Sequence, residues 1–197
     1  MEHVSRSRNP FAVFAQQPVG VCFEEQARGE KIILLLRAHL ITLVPVSVLI
    51  VILLVVPVFL PSLMGFLGID VLDALLPTQV FLLFGVWYLF VLGFAFYKFI
   101  FWYFNVYLLT NERVVDFDFR GILHKQTSYA NLNQIQDVSP RIIGFFGTFF
   151  HYGHVYLQTA GEKPEFEFYD VARPDDVARE ILEQVRKEEG EAPGEVA

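Results

Sequence analysis

LITLVPVSVLIVILLVVPVFLPSLMGFLGI (Leu40–Ile69) runs for thirty residues without a charged side chain, and ALLPTQVFLLFGVWYLFVLGFAFY (Ala74–Tyr97) follows with twenty-four more. An α-helix rises 1.5 Å per residue, so about 20 apolar residues cross the roughly 30 Å hydrocarbon core of a bilayer. Both runs exceed that length. A buried helix of a small soluble protein has no need to be apolar on every side for so long. The reading is an integral membrane protein whose two helices form a hairpin. Pro57, Pro61, Gly65 and Gly68 crowd the second half of the first run, which is therefore expected to end near Leu60. Segment 61–76, with Asp70 and Asp73, then forms an interfacial turn. Pro45 is expected to kink the first span. A signal peptide is a poor alternative, because the run begins forty residues in and a second span follows.

The flanks give a direction. Arg28, Lys31 and Arg37 precede the first span, Lys98 closes the second, and Arg113, Arg120 and Lys125 come soon after, whereas the connecting loop has no Lys or Arg. Basic residues stay in the cytoplasm, so both termini are expected there, in a cell (inner or plasma) membrane. Arg37, His39 and Lys98 sit at span edges, where snorkelling accounts for them. Tyr97, Trp102, Tyr103 and Tyr107 suit an aromatic belt at the cytoplasmic interface. Trp87 and Tyr88 lie deeper and read as packing between the helices. The expected layout is an N-terminal cytoplasmic segment over 1–37 and a hairpin over 38–101, with spans at about 38–60 and 78–100. A β domain over 102–188 and a disordered acidic tail over 189–197 follow.

Composition supports this division. The 197-residue chain is 54% hydrophobic and 19% charged, against about 25% charged for a soluble domain. Its net charge of −7 lies in the C-terminal part: Glu162–Ala197 holds twelve acids and five bases, and Trp102–Gly161 four of each. Neither has the basic excess that binding to nucleic acid requires. The single Cys22 excludes an internal disulfide and a multi-cysteine zinc cluster.

Beyond Phe104 the pattern turns to short strands. Asn105–Thr110 and Arg113–Phe119 flank an Asn111-Glu112 turn, and Val115, Phe117 and Phe119 alternate with Asp116 and Asp118 as in a half-buried strand. Leu123–Tyr129, Ile135–Val138, Val155–Thr159 and Glu165–Tyr169 are further strands. From Pro174 the sequence is helical, with Asp175 and Asp176 at the start and an apolar stripe of Val177, Ala178, Ile181, Leu182 and Val185.

The order of T-N-x-R (Thr110–Arg113), a G-hydrophobic strand (Gly121–Leu123), I-Q-D-V (Ile135–Val138) and Y-G-x-V-x-L-x-T-A-G (Tyr152–Gly161), then a helix, resembles the bacterial pleckstrin-homology-like family of small membrane-anchored proteins. The resemblance covers about Tyr103 to Val185, and two preceding spans are also typical of that family. It implies a PH-like antiparallel barrel or sandwich capped by a C-terminal α-helix, an α+β membrane protein with no catalytic residues to carry over.

Candidate sites are few. Arg120, His124, Lys125 and Arg141 could make a weak anionic-lipid or partner patch, but Asp116, Asp118 and Asp137 offset its field, and solvated surface charge is the simpler reading. His151 and His154 are too few for zinc, and i, i+3 positions on a strand face opposite sides. The run Phe145, Phe146, Phe149, Phe150, Tyr152 is aromatic for a loop. Gly144 and Gly147 allow the backbone to turn those rings inward, so they are expected in the core or over the exit of the second helix, with insertion into the bilayer as the alternative. No G-x-S-x-G, Walker loop, H-E-x-x-H or apolar carboxylate pair occurs, and Ser128 and Ser139 have no triad spacing. The sequence thus implies a non-catalytic binding or scaffold platform, without cofactor or metal, for a protein partner or for self-association. A subunit of a transport assembly is the alternative, disfavoured by spans without charge.

Overall fold

The computed structural model describes residues 9, 11–18, 20–23, 25–68, 75–121, 124–160 and 165–190, with the side chains at 120, 121, 124, 125 and 189 set aside. Two compact units result: residues 1–40 with 103–197, and residues 41–102.

The first unit is built on two antiparallel sheets. β1 (Phe14–Gln16), β2 (Ile32–Leu36), β3 (Val106–Thr110), β4 (Arg113–Gly121) and β5 (His124–Asn131) form one sheet in that order, and β6 (Ile135–Arg141), β7 (Tyr152–Thr159) and β8 (Glu165–Ala172) form the other. The strands after Phe104 lie where the sequence places them, most running two or three residues longer. A strand that the pattern does not announce lies ahead of the apolar runs: β2 pairs with β3 through Leu35↔Leu108 and Leu36↔Tyr107. IILLL has no alternation to betray a strand because this sheet is covered on both faces. One face contributes Leu34, Leu36, Leu109 and Val114 to the main core, and the other buries Leu35, Leu108 and Val115 against Ala12 and Phe23. For the same reason Val114 and Val115 are both fully buried, so β4 is half-buried only beyond its first turn of pleat.

The helix α4 (Pro174–Glu189) closes the main core with Val177, Ala178, Ile181 and Val185. Asp175 and Asp176 occupy its first turn, Arg186 and Lys187 its last, and Gly190 follows in the left-handed region at φ 81°. This is the charge and capping order that a helix dipole favours.

The T-N-x-R segment ties the early strands to the later ones. Glu30, 4% exposed, accepts from Arg113 Nε at 3.0 Å and Arg113 Nη2 at 3.0 Å, and from the Ala27 N–H at 2.8 Å. Thr110 Oγ1 lies 2.8 Å from the same carboxylate and accepts from the Arg113 N–H at 3.0 Å. Asn111 Oδ1 accepts from the Lys31 N–H at 2.6 Å, and the Arg113 guanidinium lies over the Tyr129 ring. Burial pushes the Glu30 carboxyl up, but the bonds from Arg113, Ala27 and Thr110 and the charge of Arg113 outweigh it and hold it below its ordinary value.

The second unit holds α1 (Val44–Phe66), preceded by a 3-10 turn at Leu40–Leu43, and most of α2 (Pro77–Phe104). Both are long and apolar enough to cross a membrane. Two expectations are corrected. Pro45 stands in the first turn of the helix rather than kinking it, because that turn has no use for its missing N–H. The helix also continues through Pro57 and Pro61 to Phe66 instead of ending near Leu60. A proline strips the carbonyl four residues before it of its partner. For Pro57 that carbonyl is Leu53, and Trp87 of α2 donates its indole N–H there at 2.9 Å. The Tyr88 hydroxyl reaches the Leu54 carbonyl at 3.3 Å, so both residues bond the helices to each other at mid-length. The loop with Asp70 and Asp73, the Ile122–Leu123 part of the Gly121 motif and the acidic tail over 191–197 lie outside the described residues.

Candidate functional site

Two places in the first unit carry features beyond core packing. The first is the end where the chain passes to and from the apolar helices. Arg37, 7% exposed, follows directly from β2. Its N–H donates to the Val13 carbonyl at 2.9 Å, its Nε to the Tyr103 carbonyl at 3.0 Å and its Nη1 to the Ala12 carbonyl at 3.0 Å. Tyr103 lies in the last turn of α2, where carbonyls lack helical partners and the dipole favours a cation. The guanidinium also sits 4.7 Å from the Tyr103 ring centroid, and Phe11 packs edge-on to that ring. Arg37 is therefore held among carbonyls rather than simply extended to a span edge. Three residues on, Leu40 is the last residue of this unit before α1. The chain thus leaves and re-enters the unit at neighbouring points.

The same end carries α3 (Gly144–Phe150), where the sequence suggested a loop. Its rings do not turn inward: Phe145, Phe146 and Phe149 are 78%, 61% and 67% exposed, and Phe150 is 41% exposed. The expectation that glycine would let them fill the core fails for a specific reason. Gly147 is the buried residue of the helix, and a Cβ there would lie 3.1 Å from the Tyr152 carbonyl and 3.3 Å from Ile142 Cγ2. The glycine brings the helix backbone against the sheet, and the bulky residues are left on the far side. After α3 the chain turns at His151 in the left-handed region, φ 51°. Tyr152 then stacks on His39 at 5.4 Å. A groove of about 670 Å³ runs between Phe11, His39, Leu40, Phe150, His151 and Arg173.

The second place is a cleft of about 510 Å³ between the sheets, with Tyr107, Tyr156 and Tyr169 as walls and Asp116, Asp118, Glu165 and Glu167 around it. Tyr107, grouped in sequence with the aromatic belt, stacks on Phe168 at 4.4 Å, and its hydroxyl accepts from the Tyr169 N–H at 3.2 Å. Burial pushes its phenol well above the usual range. Tyr169 donates to Glu167, and that bond to a carboxylate pushes its phenol up to about 12. Tyr156 also leans on Glu167 and is raised for the same first reason, while the Arg141 guanidinium covers its ring at 4.9 Å. Carboxylates and phenol oxygens attract cationic groups and repel phosphates. No signal in the sequence announced this cleft, because its members come from four strands and meet only through pairing within each sheet and contact between the two sheets.

Of the basic residues named from sequence, Arg141 is therefore engaged with Tyr156 on β6 and β7. The side chains of Arg120, His124 and Lys125 lie outside the described residues. Tyr97 packs at a tilt on Phe101, ring centroids 4.4 Å apart, within α2, and Trp102, 7% exposed, packs near Phe99. His154 Nδ1 accepts from the Asp170 N–H at 3.2 Å. Among the described residues no group of three or more His, Cys, Asp or Glu side chains could hold a metal ion.

A family model described as bacterial PH domain matches residues 33–185, from β2 to α4. No curated protein matches. Among solved structures, the chain is similar to a DUF1696 family protein with a pleckstrin-homology domain from Shewanella loihica PV-4. The two are 20% identical over 42% of this chain and 68% of that one, at a TM-score of 0.29, so the assignment rests on the family model. Domains of this family are generally non-catalytic modules that bind proteins or lipids. With more than half its length matched, its two antiparallel sheets and its closing C-terminal helix, the chain belongs to the bacterial PH domain family.

Proposed function

We propose that this protein is a membrane-anchored, non-catalytic platform. In this reading α1 and α2 cross the cell membrane as a hairpin, both termini are cytoplasmic, and the PH-like unit recruits a protein partner at the cytoplasmic face. The observation that carries it is the pairing of two helices of membrane-crossing length with attachment points that lie side by side. Leu40 leads into α1 three residues after Arg37, whose guanidinium holds the Tyr103 carbonyl of α2. A hairpin crossing a bilayer twice must return its ends to one surface, and this arrangement suits that need. The bond from Trp87 to the Leu53 carbonyl supports it further, since a carbonyl freed by proline must find a partner where water is absent. Tyr97, Trp102 and Tyr103 then serve as interfacial aromatics.

The tyrosine-walled cleft favours a protein partner over an anionic head group, because its carboxylates oppose phosphate. Arg141, with Arg120, His124 and Lys125, is left a minor role as weak anionic-lipid contact. Fractionation of bacterial cells expressing the full chain tests the anchoring. The protein is expected to stay with membranes through alkaline carbonate washing and to be released only by detergent. Release by carbonate or high salt alone overturns the reading.

A further inference from the structure

We propose that α3 is a second, shallow membrane contact: an aromatic helix that lies in the lipid head-group region beside the point where the chain enters α1. This rests on the reading that α1 and α2 cross the bilayer. At 100° per residue, Phe145, Phe149, Phe146 and Phe150 fall within an arc of about 140°, and Gly144, Gly147 and Thr148 occupy the opposite side. The small side is fixed against the sheet through Gly147, which leaves the aromatic side without a protein surface to cover it among the described residues. The rings meet mainly one another: Phe145 contacts Phe146 and Phe149, and Phe149 contacts Phe150. Ile143, just ahead of the helix, is 58% exposed.

The occupant is identified by position and charge. Phe150 and His151 line the same groove as His39 and Leu40, and Leu40 opens directly into the first apolar helix. Residues beside that entry stand at head-group depth if the helix spans. The stretch from Val138 to Gly161 contains no acidic residue. Arg173 lines that groove with Phe150 and His151, and its backbone N–H donates to the His151 carbonyl at 2.8 Å. Exposed rings beside a base, on a stretch of chain without acids, have the chemistry of an interfacial lipid contact. A soluble partner would have to reach this face through the layer that head groups occupy.

Single-cysteine variants in a C22S background, labelled with an environment-sensitive nitrobenzoxadiazole and reconstituted in phosphatidylcholine–phosphatidylglycerol vesicles, test this. F146C and F145C report on α3, I52C on α1, and E183C on the outer side of α4. The proposal expects lipid-borne nitroxide near the head group to quench the 145 and 146 labels about twofold or more, and iodide to reach them far less than the 183 label. The 52 label is expected to answer to nitroxide deep in the chains. If 145 and 146 behave like 183 while 52 reports lipid, the proposal falls and the spanning reading stands. If 145 and 146 are shielded from iodide but not quenched by lipid, a protein surface covers α3 and the proposal likewise falls. If 52 also fails to report lipid, both readings fall.

Discussion

Replacing Glu30 with alanine should loosen the junction between the strands that precede the apolar helices and those that follow. The Glu30 side chain is fully buried and Arg113 is one-fifth exposed. Truncating the acid leaves Arg113 Nε and the Ala27 N–H without their acceptor, while Arg113 Nη2 keeps the Glu25 carbonyl and the Thr110 hydroxyl keeps the Arg113 carbonyl. Breaking a buried pair from one side costs about 3–5 kcal/mol. Because water still reaches part of Arg113, the lower end, about 3 kcal/mol, is expected. At about 2–4 °C per kcal/mol for a chain of this size, E30A should melt about 6–12 °C below wild type by circular dichroism in detergent. E30Q, which keeps the volume and one acceptor, should lose about 1.5–3 kcal/mol. The double variant E30Q/R113Q should lose less than the sum of its singles, with a coupling of about 1–3 kcal/mol. The pH dependence has a definite sign. Glu30 has a folded pKa below its ordinary value of 4.5, so its stabilisation is present above that value and disappears as pH falls through the folded one. The gap between wild type and E30Q should therefore close in acid. A melt of E30A within about 2 °C of wild type, well under the shift expected for this loss, or additive singles, would refute the reasoning.

Other outcomes follow from the same geometry. W87F removes the donor to the Leu53 carbonyl and should cost about 1 kcal/mol of thermal stability in detergent. That loss should shrink in a Pro57→Ala background, where the amide N–H that the substitution restores can bond the same carbonyl. G153A should destabilise by about 1–3 kcal/mol, because its Cβ would lie 2.4 Å from the Arg141 carbonyl, a backbone atom that cannot swing aside. Nuclear magnetic resonance of ring-labelled tyrosine should find Tyr169 titrating at about 12, and E167Q should bring it down toward the ordinary phenol value. An unchanged Tyr169 titration in E167Q would show that Glu167 is not its partner.

The sequence was most legible where one physical constraint acted alone. Apolar runs of thirty and twenty-four residues answer to a single requirement, and both became helices. The later strands alternate or are bounded by turn residues, and α4 carries its charge order openly. Legibility failed where the determining contact is distant. IILLL at 32–36 looks like an extension of a greasy run until β3, some seventy residues on, supplies its partner. Phe145–Phe150 depended on which side of Gly147 meets the sheet, and the Tyr152 carbonyl decides that. Pro57 looked like a helix end because the bond that rescues its helix comes from Trp87 on another one. The motif Thr110–Arg113 was visible as a family mark, but its work of gripping Glu30 was not.

Cys22, the sole cysteine and exposed in the PH-like unit, gives the most direct test of a hairpin with a cytoplasmic platform. A membrane-impermeant maleimide applied to intact spheroplasts should leave Cys22 unlabelled until the membrane is broken. In C22S/L76C, with the reporter in the connection between the helices, labelling should be complete from outside. Labelling of both positions from the same side of the membrane would contradict the account.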